Sequence, residues 1–206
     1  MKKIFFTLSF MLLSFMLTVQ AQQDVKVRFG GIVGFNMSQW GGDYADDLKT
    51  TFKPGFHIGG VAELLFISEK WSIQPELLFS YEGTNSDVLS KGISAMYIKA
   101  PILLYYNFKL GDSGRLSPGL GIYAAGGIGG KVDGEFDTFD GLEAFDWGAE
   151  ARLVYEAFNK KGGGIFFGLG FAQGFSLTHS TQLKASVGYK FPYSKWLSTV
   201  YYKYKD

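Results

Sequence analysis

From about residue 25 onward, apolar and polar positions alternate with a period of two. Between residues 53 and 67, Phe56, Ile58, Gly60, Ala62, Leu64 and Phe66 share one face, and His57, Gly59, Val61, Glu63 and Leu65 share the other. From Trp71, the residues Ile73, Pro75, Leu77, Phe79 and Tyr81 alternate with Ser72, Gln74, Glu76, Leu78, Ser80 and Glu82. From Ser94, Met96, Ile98, Ala100, Ile102, Leu104, Tyr106 and Phe108 alternate with Tyr97, Lys99, Pro101, Leu103, Tyr105, Asn107 and Lys109. This period belongs to a strand with two unlike faces, not to a helix. Five further stretches behave alike: residues 25–37, 116–130, 145–158, 164–175 and 182–191. Eight antiparallel strands are predicted, many of ten residues or more, where soluble strands average five or six. A strand crossing a bilayer at a tilt needs about 9–11 residues.

The links alternate in length. Residues 38–52, 83–93 and 131–144 form long polar links, while 68–70, 111–115 and 159–163 are short, and 176–181 is intermediate. Long loops at one end and short turns at the other are the layout of an outer-membrane barrel. Closure is required because an unpaired N–H or C=O facing lipid costs several kcal/mol, and only a closed sheet has no edge. The fold expected is all-β: an eight-stranded antiparallel transmembrane barrel in up-and-down order, both termini at the turn end. A barrel of this size has an interior filled by side chains.

The faces differ as such a barrel requires. One face is nearly free of charge. The other carries Arg28, His57, Glu63, Glu76, Lys99, Glu150, Arg152 and Lys184, which would need neighbours of opposite sign inside. Of these, His57, Glu63, Glu76, Lys99, Glu150 and Arg152 make the candidate site, a polar cluster in the barrel interior. Aromatic girdles are expected at Phe29, Phe66, Trp71, Phe108, Tyr155 and Phe191 on the turn side, and at Phe35, Trp40, Phe56, Tyr81, Phe145 and Trp147 on the loop side. Pro75 and Pro101 fall in mid-strand, where bulges are expected to absorb them.

Composition agrees. There are 28 glycines, where average usage gives about 14, and glycine at that level argues against helices. Residues 1–21 have a basic start at Lys2 and Lys3, an apolar run, and small residues at Val19 and Ala21, the layout of a cleaved signal peptide. Cleavage leaves 206 − 21 = 185 residues and moves the formal charge from +1 to −1. Nothing basic remains to suggest nucleic acid. No cysteine is present, so this exported chain uses no disulfide.

Several motifs touch on chemistry. Gly119-Leu120-Gly121-Ile122-Tyr123-Ala124 fits the dinucleotide-binding fingerprint, with Asp140 and Glu143 where a ribose-binding acid would lie. That fingerprint must open a helix, and Gly126, Gly127, Gly129 and Gly130 follow at once. Strand parity instead puts Gly119, Gly121, Gly127 and Gly129 on the inner wall, with Gly168, Gly170 and Gly174 on a later strand, making room for Tyr and Arg side chains. Gly111-Asp112-Ser113-Gly114 resembles a serine-protease signature but is followed by Arg115 and reads as a turn. Two histidines, His57 and His179, exclude a His-rich metal site. Thr178-His179-Ser180-Thr181 sits where a lipid-modifying outer-membrane enzyme would hold a hydroxyl and its base, although adjacent strand residues face opposite ways. Glu63 and Glu76 offer a carboxylate pair, with Lys99 and Arg152 favouring an ion-pair network instead. Asp43, Asp46 and Asp47, and Asp133, Glu135, Asp137 and Asp140, are acidic loop runs: a solvated surface, or ligands for divalent cations.

The stretches SIQPELLFSYEG (72–83), YIKAPILLYYNF (97–108), FHIGG (56–60) and ASVGYKF (185–191) resemble the outer-membrane β-barrel domain family often labelled porin family or PorT family. The resemblance covers about residues 22–191. It implies a small eight-stranded barrel in a Gram-negative outer membrane and transfers no catalytic residues. The chain departs from it in a tail, residues 192–206, expected in the periplasm unless part of it joins the sheet. The function expected is structural or surface-interacting, without catalysis or cofactor. The alternatives are a narrow channel gated by the interior charges, then a lipid-modifying enzyme, then a soluble lipocalin-like carrier. The partners expected are outer-membrane lipid and lipopolysaccharide, with the barrel-assembly machinery during biogenesis, for a monomer.

Overall fold

The computed structural model describes residues 26–41, 49–66, 69–87, 92–132, 136–137, 144–176 and 179–192. The leader (1–21), the acidic positions 43, 46, 47, 133, 135 and 140, Glu143, Thr178 and the tail beyond 192 lie outside the described residues. Every regular element among the described residues is a strand: β1 (Lys26–Trp40), β2 (Thr50–Phe66), β3 (Trp71–Ser86), β4 (Ile93–Tyr106), β5 (Phe108–Leu110), β6 (Gly114–Val132), β7 (Phe136–Asp137), β8 (Phe145–Phe158), β9 (Gly164–Gly174) and β10 (Ser180–Lys190).

The sheet closes. Neighbours pair antiparallel from β1 through β2, β3, β4, β6, β8, β9 and β10, and β10 returns to β1. That is an eight-stranded barrel, with β5 continuing β4 and β7 a two-residue addition to β6. A path across the strands runs Val27, Leu64, Ile73, Leu104, Leu120, Ala151, Phe171, Leu183 and comes back to β1 at Met37, ten residues further on. This stagger tilts the strands against the barrel axis. It makes strictly cross-strand rows climb from the turn end toward the loop end.

Parity is obeyed almost throughout. On β8, Asp146, Gly148, Glu150, Arg152, Val154 and Glu156 are buried, and their alternates are exposed. The outer wall presents Phe35, Leu120, Ile122 and Leu169, each at least two-thirds exposed. Such a surface is stable only against lipid or a partner. On β1 the apolar outward run Phe29, Gly31, Val33, Phe35 and Met37 spans nine residues, the length a tilted strand needs to cross a bilayer. Beyond it come Gln39, and on other strands Asn85, Thr181 and Gln173, so the loop end of the wall turns polar.

Four expectations need correction. Trp40 does not join the outer girdle. The strand runs on to residue 40, and Trp40 shares the inward parity of Arg28, Ile32, Asn36 and Ser38, with 4% exposure. Pro75 and Pro101 carry no bulge. The β2–β3 pairing lapses opposite Pro75, and the β3–β4 pairing opposite Pro101, then each resumes in the same register. A proline lacks one N–H, so one ladder step is lost on one side while the other neighbour stays paired. The irregularities fall instead between Phe52 and Phe56 on β2 and opposite Met96 on β4. The latter bulge reverses parity, so Gly129 pairs with outward Met96 rather than facing in. Finally, Lys109 is not interior: the long fourth strand breaks at Asn107, and Lys109 lies exposed beyond the break, 3.4 Å from Glu69. The partner position across that break is Ser117, next to Pro118. Ser117 Oγ donates to Asn107 Oδ1 at 2.7 Å, and Asn107 N donates to Lys70 O at 2.7 Å.

Candidate functional site in the barrel interior

Period two puts every second side chain inside, and glycines decide how large each can be. Arg152 on β8 is flanked by Gly119 on β6 and Gly170 on β9. A Cβ on Gly170 would meet Arg152 Cγ at 3.5 Å, an ordinary contact, whereas one on Gly119 would stand 2.4 Å from the Tyr105 ring, so Gly119 makes room for Tyr105. Tyr123 fits in the same way against Gly148, where a Cβ would stand 2.8 Å from its ring.

At the turn end, Arg28, Arg115 and Lys190 share two carboxylates. Arg28 Nε donates to Glu63 Oε2 at 2.9 Å, and Arg28 Nη1 donates to Glu156 Oε1 at 2.6 Å. Arg115 Nη2 donates to Glu156 Oε2 at 2.6 Å and also bonds Glu63. Lys190 Nζ donates to Glu63 Oε1 at 3.1 Å. The Phe158 ring lies 5.6 Å from both guanidinium carbons, a cation–π contact to each.

An apolar layer follows, including Ile32, Val61, Leu103, Val154 and Phe166. Beyond it, Arg152 Nη1 donates to Glu76 Oε1 at 2.6 Å, and Arg152 Nε donates to Glu150 Oε1 at 3.0 Å. Lys184 Nζ donates to the other oxygen of Glu150 at 2.8 Å. His57 shares a hydrogen bond of 2.9 Å with Ser186. Next, Lys99 Nζ donates to Glu82 Oε1 at 2.9 Å and lies 4.3 Å from the Tyr123 ring centre. The loop end is stopped by Trp40, Ile93, Tyr97 and Tyr123. There the Tyr123 hydroxyl and Ser180 Oγ both donate to Asp146 Oδ2, at 2.9 and 3.0 Å.

Among the described residues the interior holds Arg28, Lys99, Arg115, Arg152, Lys184 and Lys190 against Glu63, Glu76, Glu82, Glu150, Glu156 and Asp146, all buried. Equal numbers of each sign make burial tolerable, since an unpaired buried charge is far more costly than a paired one.

All six candidate residues lie inside. Glu76, Glu150 and Arg152 form one group, with His57 bonded to Ser186 nearby in the fold. Glu63 belongs to the turn-end group and Lys99 pairs with Glu82. The ion-pair network favoured over a Glu63–Glu76 carboxylate pair is what forms: Glu63 takes Arg28 and Arg115, and Glu76 takes Arg152, while Lys99 goes to Glu82. The sequence reading passed over Glu156, Lys190 and Asp146, though each keeps the inward parity of its strand, and it assigned Arg115 to the turn because β6 starts two residues earlier than expected. Ser180 is buried on Asp146, while His179 is exposed, its backbone tied to Ser176 and Gly41. No hydrogen bond joins the His179 ring to Ser180 among the described residues.

No curated protein sequence matches this chain. The family described as outer membrane protein β-barrel domain matches residues 20–182. Among solved structures, the fold is similar to Neisserial surface protein A, at 10% identity and a TM-score of 0.53 over 79% of this chain and 95% of that one. Ail of Yersinia pestis is 11% identical with a TM-score of 0.46, over 81% of this chain and 99% of that one. The N-terminal barrel of Pseudomonas aeruginosa OprF is 14% identical with a TM-score of 0.42, again over 81% and 99%.

Proposed function

The chain belongs to the outer membrane protein β-barrel domain family, and on that premise we propose that it is a non-conducting, non-catalytic barrel that holds its long loops at the cell surface. The turn end and both termini then face the periplasm. Lipid and lipopolysaccharide surround the wall, and the barrel-assembly machinery inserts it as a monomer.

One observation carries this reading: the lumen is filled by charge pairs between two apolar layers, one around Val61 and Leu103 and one around Trp40 and Tyr97. Among the described residues the interior glutamates each accept from an Arg or Lys, and Asp146 accepts from Tyr123 and Ser180 at Oδ2 while its Oδ1 has no partner. Ser180 donates to an aspartate rather than to a histidine. These features argue against both the channel and the lipid-modifying enzyme.

The test is conductance of the folded protein in planar bilayers, with folding checked by a heat-dependent gel shift. Silence is expected. Discrete openings that change in Lys99→Ala or Arg152→Ala would replace this reading with that of a narrow pore. Labelling of loop cysteines on intact cells checks the orientation separately.

A further inference from the structure

The outer wall is not uniformly convex. A groove of about 850 Å³ runs across it between two rows of cross-strand neighbours. One bank is Leu104, Leu120 and Phe171, and the other is Tyr106, Leu153 and Leu169, with Trp71 at its lower end. The dip has two causes in the sequence. Ala151 is the small member of the row between Leu120 and Phe171. Pro118 lies next to the place where β4 breaks from β5. Gly119 and Gly170, with Arg152 between them, lie at the floor.

The groove crosses from β3 to β9, four inter-strand spacings of about 4.8 Å, or roughly 19 Å in all. Because cross-strand rows climb at the barrel's tilt, it rises on the order of 12 Å, close to the depth of one leaflet of a hydrocarbon core about 30 Å thick. Its lower end is marked by aromatic rings. Trp71 and Tyr106 meet edge-to-face at 4.9 Å, and Tyr106 and Phe108 at 4.8 Å. Immediately below are lysines. Lys70 precedes Trp71 and its carbonyl accepts from Asn107 N. Lys109 follows Phe108, its side chain 68% exposed. Lys26 and Lys109 share one acid, Glu69, and with exposed Asp112 in the adjoining turn the three lysines Lys26, Lys70 and Lys109 stand against two acids, a net charge of 3 − 2 = +1 on this rim.

We infer that the groove holds one acyl chain of an anionic glycerophospholipid, with its phosphate at Lys70 and Lys109. The apolar trough takes the chain, the aromatic rings sit at the ester level where such rings are favoured, and the basic rim takes the headgroup. The assignment of this lipid to the periplasmic leaflet rests on the orientation proposed above; the site itself does not.

The experiment is native mass spectrometry of the folded barrel in detergent with equimolar phosphatidylglycerol and phosphatidylcholine. One phosphatidylglycerol should be retained per barrel, in at least tenfold preference. Ala151→Phe, which fills the trough, should lower retention at least tenfold. Ala149→Phe, outward on the same strand but outside the groove, should leave it unchanged. The K70A/K109A variant should lose the preference between the two lipids while still binding. Equal retention by Ala151→Phe and the parent, no lipid preference in the parent, or a dimer in place of a lipid adduct would each overturn the inference. If Ala151→Phe fails the heat-shift test for folding, the lysine variant decides alone. Labelling of Lys70→Cys from outside intact cells would overturn the orientation and leave the lipid site standing.

Discussion

Tyr105 lies so close to Gly119 on the adjacent strand that a Cβ on the glycine would stand 2.4 Å from its Cδ1. Tyr105 is 2% exposed and has nowhere to retreat. Gly119→Ala should therefore destabilise the barrel by about 1–3 kcal/mol through overpacking. Gly126→Ala, whose Cβ would meet nothing within 4 Å, should stay within about 0.5 kcal/mol. Urea unfolding in lipid vesicles compares the two.

Glu63 is the common acceptor for Arg28, Arg115 and Lys190. Glu63→Gln leaves three buried cations facing Glu156 alone. Removing one member of a buried ionic group costs about 3–5 kcal/mol, and unfolding midpoints should show a loss of that order. Lys26→Ala, which removes a half-exposed pair with Glu69, should cost at most about 1 kcal/mol. Equal losses in the two variants would show that the turn-end network is not what holds that end closed.

Glu69, in the turn between β2 and β3, is held below the usual carboxylate range, first by the hydrogen bond from Lys26 and then by the charges of Lys26 and Lys109, against partial burial. A depressed folded pKa contributes stability that is present above the unfolded value, near 4.3, and is lost as pH falls through the folded one. The stability difference between parent and Glu69→Gln should therefore be present at pH 7 and shrink below about pH 4. Unfolding midpoints at a series of pH values measure it; a difference that grows on acidification would contradict the assignment.

Trp71 and Trp147 point outward and Trp40 inward. In variants keeping one tryptophan each, lipids carrying a quencher near the headgroup should dim Trp71 and Trp147 and leave Trp40 bright. Quenching of Trp40 would return it to the outer girdle.

Much of the fold was legible because strand alternation is local. The faces of residues 53–67 and 145–158 could be read without knowing any partner. Trp40 went astray because a large aromatic near a strand end looks like a girdle residue, and the sequence does not announce where a strand stops. Its parity with Arg28, Asn36 and Ser38 was the available signal. The prolines misled for another reason. A missing N–H can be accommodated by a bulge or by a skipped ladder step, and only the register tells which.

The amino-acid sequence by itself determined the eight long strands, their inner and outer faces, the apolar outer wall and the set of charges confined inside, since each follows from a period of two and the residue types on it. Only the closed structure decided which charges meet. Arg28 bonds Glu156, 128 residues away, because β10 returns to β1 with a ten-residue stagger that brings the inner faces of distant strands to one level. The groove across β4, β6, β8 and β9 has the same origin. Its banks are far apart in the chain and become neighbours only when the sheet is wound and tilted.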